Sequence, residues 1–261
     1  MPDWVYGIDI SYQQLDDAKC NLLELAGVRS CGQCVWTGAE QPAPRVTNLR
    51  LLKDRLQTGR GKIMPYAYAS ITSSRTGIAH MASARAGFPD DLFAFMPKWV
   101  VDVELPGITI LQVRQAVDQV AAWGKPRDVY TSYNAWVNYL GNPMTFQDTG
   151  LWNAYWDGDP DFDYPSRPFG RWREVWAEQW SGGTNVQGVF ADRDQVRADA
   201  LGVVLAPPLP PITPVPTPPP APSDAAWLAA SAQADTLALL FATRQRPTAQ
   251  LRETIKYLIG E

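Results

Sequence analysis

Short apolar runs rich in β-branched and aromatic residues alternate with segments whose leucines, isoleucines and valines recur every three or four positions. The runs read as strands and the periodic segments as helices. This pattern predicts strands over residues 4–11, 34–37, 63–69, 99–104 and 129–132. Between them it predicts helices over 15–25, 48–56, 78–86, 110–121 and 135–140. Gly27, Gly59, Gly87 and Gly124 stand where the first four of these end, as helix stops commonly do. Three more strands, over 151–156, 175–180 and 189–192, follow one another closely. Eight strands with helices mainly in the first part predict an α/β fold. We expect a TIM-barrel-like (β/α) barrel with an incomplete outer helix layer.

The fourth run, Trp99-Val100-Val101-Asp102-Val103-Glu104, is stopped by Pro106-Gly107 and carries two carboxylates at its end. Side chains alternate across a strand, so Asp102 and Glu104 are expected on one face, with Val103 on the other. Two strand residues rise about 6.5–7 Å, within the roughly 5–9.5 Å over which glycosidases space their carboxyl pairs. Burying a carboxylate costs several kcal/mol unless it is paired or neutralised. A solvated strand end whose acids merely cap a loop is the bland alternative. Asp9 and Asp192 also end predicted strands. In a barrel, the ends of the first, fourth and last strands converge on one mouth, and that convergence favours chemistry.

Composition narrows the chemistry. The 261 residues carry 27 acidic and 23 basic side chains, a formal charge of −4, so there is no basic footprint for nucleic acid. No apolar run reaches the roughly 18 residues of a membrane span, and the start of the chain shows no secretory signal pattern. A single histidine, His80, counts against a Ser-His-Asp triad and against any multi-histidine metal site. Acid–base work must fall to carboxylates. Cys20, Cys31 and Cys34 make no disulfide framework, and Cys31-Gly32-Gln33-Cys34 sits at a strand entrance rather than a helix start. The alternating acids of 157–163 read as a solvated loop, because the rest of a calcium loop is missing.

Several short motifs then occur in a fixed order: Gly7-Ile8-Asp9-Ile10-Ser11, Tyr66-Ala67-Tyr68, Asp102-Val103-Glu104, Tyr130-Thr131-Ser132, Leu151-Trp152-Asn153-Ala154-Tyr155, Gln179-Trp180-Ser181 and Asp192-Arg193-Asp194. As a set over residues 4 to about 200 they resemble glycoside hydrolase family 25, the lysozymes (N-acetylmuramidases) common in bacteriophages and bacteria. Gln13 and Trp180 depart from the usual residues of that pattern. The resemblance implies a cleft for bacterial peptidoglycan glycan strands and hydrolysis of the β-1,4 bond between N-acetylmuramic acid and N-acetylglucosamine, with no cofactor. It implies Glu104 as general acid/base, Asp102 beside it, and Asp9 and Asp192 as the other cleft acids. Spacing leaves open whether a carboxylate or the substrate's own N-acetyl group attacks the sugar. The resemblance favours the substrate-assisted, retaining route. It further implies a phage lysin released from the host cytoplasm by a holin, or a virion-associated enzyme. A glycan-binding or virion structural module on the same barrel is the alternative, and retention of four acids weighs against it.

Eleven tryptophans supply ring faces for sugars, though most are expected to fill the core. Tyr66, Tyr68, Tyr130, Trp152, Tyr155, Gln179 and Trp180 are the expected substrate contacts, with Tyr66, Tyr68 and Trp180 foremost. Ten prolines in residues 206–222 predict an extended spacer. It separates a barrel domain over 1–205 from a small helical hairpin over 223–261. That hairpin is too short to bury a core alone and is expected to self-associate or to dock on a phage or cell-wall component.

Overall fold

Eight strands pair in sequence order and close on themselves: β1 (Trp4–Ile10), β2 (Val28–Trp36), β3 (Met64–Ser70), β4 (Trp99–Asp102), β5 (Asp128–Ser132), β6 (Gly150–Ala154), β7 (Glu174–Val186) and β8 (Val189–Arg197). The structure, a computed structural model, describes residues 3–162, 164 and 168–202. The expected spacer and helical hairpin, 206–261, lie outside the described residues.

The first seven strands run parallel, while β8 is antiparallel to both β7 and β1. A short connection forces this reversal. Val186 pairs with Val189 across a two-residue turn, Gln187-Gly188, in which both residues have positive φ. That conformation matches the twist of a tight hairpin and favours glycine at the second place. The barrel is therefore a mixed one, not eight repeats of strand and helix.

Helices α1 (Asp17–Leu25), α2 (Arg45–Gln57), α3 (Gly77–Arg85), α4 (Asp90–Phe95) and α5 (Ile110–Ala122) cover the earlier strands. Leu49 of α2, Met81 of α3 and Val113, Val117 and Val120 of α5 are buried with outward-facing Val35, Ala67, Ala69 and Val101. Thr109 and Gln112 start α5 with reciprocal side-chain caps. The six-residue α4 has no counterpart in the predicted pattern. The helix expected over 135–140 is a π-helical turn, Asn134–Tyr139, and α6 (Ala198–Leu201) follows β8. Among the described residues no α-helix intervenes between β6 and β8, in keeping with an incomplete outer helix layer.

Four strand limits differ from expectation in ways that matter. β2 begins at Val28, so both Cys31 and Cys34 lie inside it. Three residues apart, they face opposite sides: Cys34 joins the barrel interior and Cys31 the outer core. Both are free thiols. β4 stops at Asp102, leaving Glu104 in the following loop, although the Val103 N–H still donates to the Tyr130 carbonyl. β7 and β8 are longer than predicted, and Asp192 lies within β8 rather than at its end.

Large side chains fill the barrel below its mouth. Tyr66 meets Trp152 and Trp176 edge-on, and Gly32 makes room for it. A Cβ there would come within 2.8 Å of the Tyr66 ring and 2.9 Å of Asp9 Cβ. At the opposite end, Lys98 Nζ donates to Asp128 Oδ2 at 2.9 Å with both side chains buried, and lies 4.5 Å from the Trp176 ring centre. Removing one partner of such a pair leaves an uncompensated buried charge, which costs about 3–5 kcal/mol. Lys98→Met is expected to destabilise the protein by that amount in urea unfolding, and Lys98→Met/Asp128→Asn by clearly less. A single-variant loss below about 1 kcal/mol would show that the pair contributes no more than a surface one.

Candidate active site

The mouth at the C-terminal ends of the parallel strands collects acids from three separate parts of the chain. Asp9, near the end of β1, is the register partner of Asp192 on β8. Because β8 runs the other way, the early part of that strand lies at this end of the barrel. Asp102 is the last residue of β4 and Glu104 stands two residues on. Together with Tyr68, Tyr130, Trp152 and Gln179, these four acids line a cavity of about 310 Å³.

Hydrogen bonds fix most of the lining. Gln179 is the hub: its Nε2 donates to Asp9 Oδ2 at 2.7 Å and to Asp192 Oδ2 at 3.3 Å. Its Oε1 accepts from the Tyr130 hydroxyl at 2.7 Å and from Trp156 Nε1 at 2.6 Å. Ser70 Oγ donates to Asp102 Oδ2, while Asp102 Oδ1 has no partner among the described residues. The Gly183 N–H donates to Asp192 Oδ1. The Tyr68 hydroxyl pairs with Ser11 Oγ at 3.0 Å.

A fifth acid lies one step deeper. Asp194, two residues along β8 from Asp192, is fully buried and accepts from Trp152 Nε1 at 3.1 Å. The alternation of β8 puts residues 192, 194 and 196 on the inner face, so period two would have found it had the strand been extended beyond Asp192.

No Lys or Arg lines the cavity, and none of the five acids makes an ion pair among the described residues. Burial therefore pushes every one of these carboxyls upward. Burial and the charge of Asp192 raise Asp9 to about 8, against the opposing hydrogen bonds of Gln179 and Tyr68. Burial, then Glu104, holds Asp102 well above the usual range. Glu104 is raised by burial and next by Asp192, with Tyr130 opposing. Asp192 is raised by burial, and Asp194 by burial and the charges of Asp9 and Asp192. Asp102 is thus itself disposed to keep a proton, and the charge that acts on Glu104 is that of Asp192.

A pH dependence of stability follows. Carboxyls with raised values in the folded state favour folding fully below their unfolded value of about 4. They lose that contribution as pH rises through the folded values, near 8 for Asp9. The thermal midpoint is expected to fall between about pH 5 and pH 8.5, and Asp194→Asn is expected to reduce the fall. A wild-type midpoint that rises over that interval contradicts this electrostatic picture.

The expected sugar contacts divide three ways. Tyr68, Tyr130, Trp152 and Gln179 line the central cavity. Tyr155 lines a neighbouring cavity of about 360 Å³ that shares Glu104 with it and also contains Tyr139 and Trp156. Tyr66 and Trp180 stand apart. Tyr66 is completely buried one strand step below the mouth, where it fills the barrel. Trp180 follows the inward-facing Gln179, so its side chain emerges on the outer wall. Aromatics that do offer exposed surface at the mouth include Trp156, 62% exposed, and Tyr139 in the neighbouring cavity, Tyr12, and Phe190 in a third cavity shared with Asp9 and Asp192. Their signal in the sequence was position beside acid-bearing strand ends, not hydrophobic period. His80 lies elsewhere, buried against Trp36 Nε1 and the Thr72 backbone.

A barrel whose mouth gathers carboxyls held against ionisation, with no cation beside them, has the build of a carboxylate-dependent glycoside hydrolase. No protein-family model matches the chain. An 83-residue stretch is 35% identical to Counting factor 50 of Dictyostelium discoideum, covering 31% of this chain and 27% of that protein. An 80-residue stretch is 30% identical to Probable GH family 25 lysozyme 3 of the same organism, covering 31% of this chain and 17% of that one. These matches thus span less than a third of either relative. The solved structure of a family GH25 lysozyme from Aspergillus fumigatus superposes with a TM-score of 0.57 at 17% identity, over 74% of this chain and 94% of that one. The chain has the fold of the family 25 lysozymes and resembles them in its ordered motifs. Among the described residues no helix is long and apolar enough to cross a membrane.

Proposed function

We propose that the protein is a peptidoglycan hydrolase, an N-acetylmuramidase that cleaves the β-1,4 bond from N-acetylmuramic acid to N-acetylglucosamine. The observation that carries this reading is the position of Glu104. It is half-buried where the central and neighbouring cavities meet, so a sugar in each would place the bond between them beside its carboxyl. Burial and Asp192 favour its protonated form, which a general acid needs.

In this mechanism Glu104 gives its proton to the glycosidic oxygen as the bond breaks. Positive charge then develops at the anomeric carbon, and the charge of Asp192, which Gln179 holds beside Asp9, stabilises it. Asp102, fixed by Ser70, orients the N-acetyl group so that its carbonyl oxygen attacks from the opposite face in a substrate-assisted, retaining displacement. Glu104, now ionised, takes a proton from the water that completes hydrolysis. Tyr68, Tyr130, Trp152 and Tyr155 shape the sugar subsites, and the exposed indole of Trp156 offers a ring face on which a pyranose can stack.

The test is turbidity loss of purified cell walls by the full chain, with analysis of the new reducing ends. Reducing N-acetylmuramic acid is the expected product. Reducing N-acetylglucosamine, or no new ends at all, rejects the assignment.

A further inference from the structure

The outer wall of the barrel carries a second concave surface. A groove of about 490 Å³ runs over the outer faces of β1, β7 and β8, lined chiefly by Trp4, Tyr6, Trp180, Asn185, Arg193 and Gln195. Strand alternation separates it from the mouth. Arg193 and Gln195 face outward between the inward-facing Asp192 and Asp194, and Trp180 faces outward next to Gln179.

Its chemistry is the reverse of the acid cleft. No Asp or Glu lines it, in a chain with four more acidic than basic residues. Among its described lining residues the one charged side chain is Arg193, whose guanidinium lies 5.4 Å from the Trp180 ring centre and makes no ion pair among the described residues. Arg193 Nε and the Nε1 of Trp180, a residue only 9% exposed, have no acceptor among the described residues. Donors left unmatched away from water are costly, and a ligand rich in acceptors would satisfy them. The rings of Trp4, packed on one side against Phe162 at 4.8 Å, and Tyr6 add surface of the kind that stacks on pyranose faces, and the amides of Asn185 and Gln195 add further polar contacts. The volume is that of a small-ligand site.

We propose that this groove is a second saccharide site that takes a sugar bearing a carboxylate, the acid pairing with Arg193. The identity of that sugar as a cell-wall glycan rests on the function proposed above; the aromatic and charge complementarity does not. A strand of acidic glycan bound here would tether the enzyme to its substrate on the face away from the acids. An acidic peptide would use Arg193 but leave the ring faces without a role.

The experiment is a ¹H–¹⁵N titration of the full chain carrying Glu104→Gln, following the indole N–H signals. The Trp180 signal is assigned by its absence from the Trp180→Phe variant. The probe is the disaccharide N-acetylglucosaminyl-N-acetylmuramic acid, whose lactyl carboxyl is free, with chitobiose as the neutral control. The acidic disaccharide is expected to shift the Trp180 signal saturably. Chitobiose should need at least ~10-fold more for the same shift, the equivalent of one strong charged hydrogen bond. Arg193→Gln is expected to remove that preference. An unmoved Trp180 signal, equal response to both sugars, or tighter response to an acidic hexapeptide than to the disaccharide overturns the proposal. Should Trp180→Phe not fold, the Arg193→Gln arm decides the question through the indole signals that move in the parent protein. Hydrolysis is not read in this assay, so a failure of the muramidase assignment is seen separately, in the wall digest.

Discussion

Glu104→Gln is expected to lower wall hydrolysis by about 10²–10⁴-fold, the contribution of a positioned general acid, with the thermal midpoint unchanged or raised. Glutamine preserves the size of the side chain at the junction of the two cavities but has no proton to give to a leaving oxygen. The accompanying rise in stability has a physical cause. Burial and Asp192 disfavour the ionised Glu104 carboxyl, and the amide removes that charge. Activity loss with stability kept or gained separates a chemical role from a structural one. A variant that clears walls at the wild-type rate would remove Glu104 from the mechanism. A variant that unfolds would instead make it part of the barrel. The same reasoning gives the alkaline limb of the activity profile: activity should fall once Glu104 ionises, at a pH above that of an ordinary glutamate.

Much of this arrangement could be read from the chain alone, and the parts that could not have physical reasons. Apolar β-branched runs interrupted by three- and four-residue periodicity identified the strands and the covering helices, because those periods follow directly from which face is buried. Periodicity carries no direction, however. The antiparallel course of β8 depends on the Gln187-Gly188 hairpin, and the seventh and eighth runs were too short in the predicted pattern to bring that turn into view. The acids Asp9, Asp102, Glu104 and Asp192 were legible because carboxylates at the ends of apolar strands are costly and therefore conspicuous. Trp180 illustrates the opposite case. Adjacent residues on a strand face opposite sides, so Gln179 and Trp180 could not both face the mouth. Motif resemblance placed them together where the pleat separates them. Tyr66 and Tyr68 share a face but differ in depth, since one strand step is enough to take Tyr66 from the cleft into the packed interior. Trp156 escaped the predicted contact set because nothing in a hydrophobic pattern marks an indole held at the surface by a hydrogen bond.

Gln179→Met is expected to lower the turnover number by about 10–100-fold with little change in KM, although Gln179 is too buried to be the reacting group. The side chain supplies two donors to Asp9 and Asp192 and two acceptor contacts to Tyr130 and Trp156. Methionine matches its length and supplies neither a donor nor a strong acceptor. Hydrogen bonds to charged groups contribute about 1.5–3 kcal/mol each, and their loss falls on the state in which the carboxylates face a developing cation. Asp9, deprived of a bond that lowers its pKa, should titrate still higher. The acid limb of the turnover profile is then expected to move, because Asp9 titrates against Asp192 and it is Asp192 that carries the charge facing that cation. Trp156, freed from its acceptor, should give a changed fluorescence spectrum and a weaker response to added disaccharide. Gln179→Glu is the informative companion. It restores the acceptor for Tyr130 and Trp156 but places another acid against Asp9 and Asp192, so Trp156 fluorescence should recover while turnover does not. If both variants hydrolyse walls at the wild-type rate with an unmoved pH profile, Gln179 is a packing residue and the cleft acids are positioned without it.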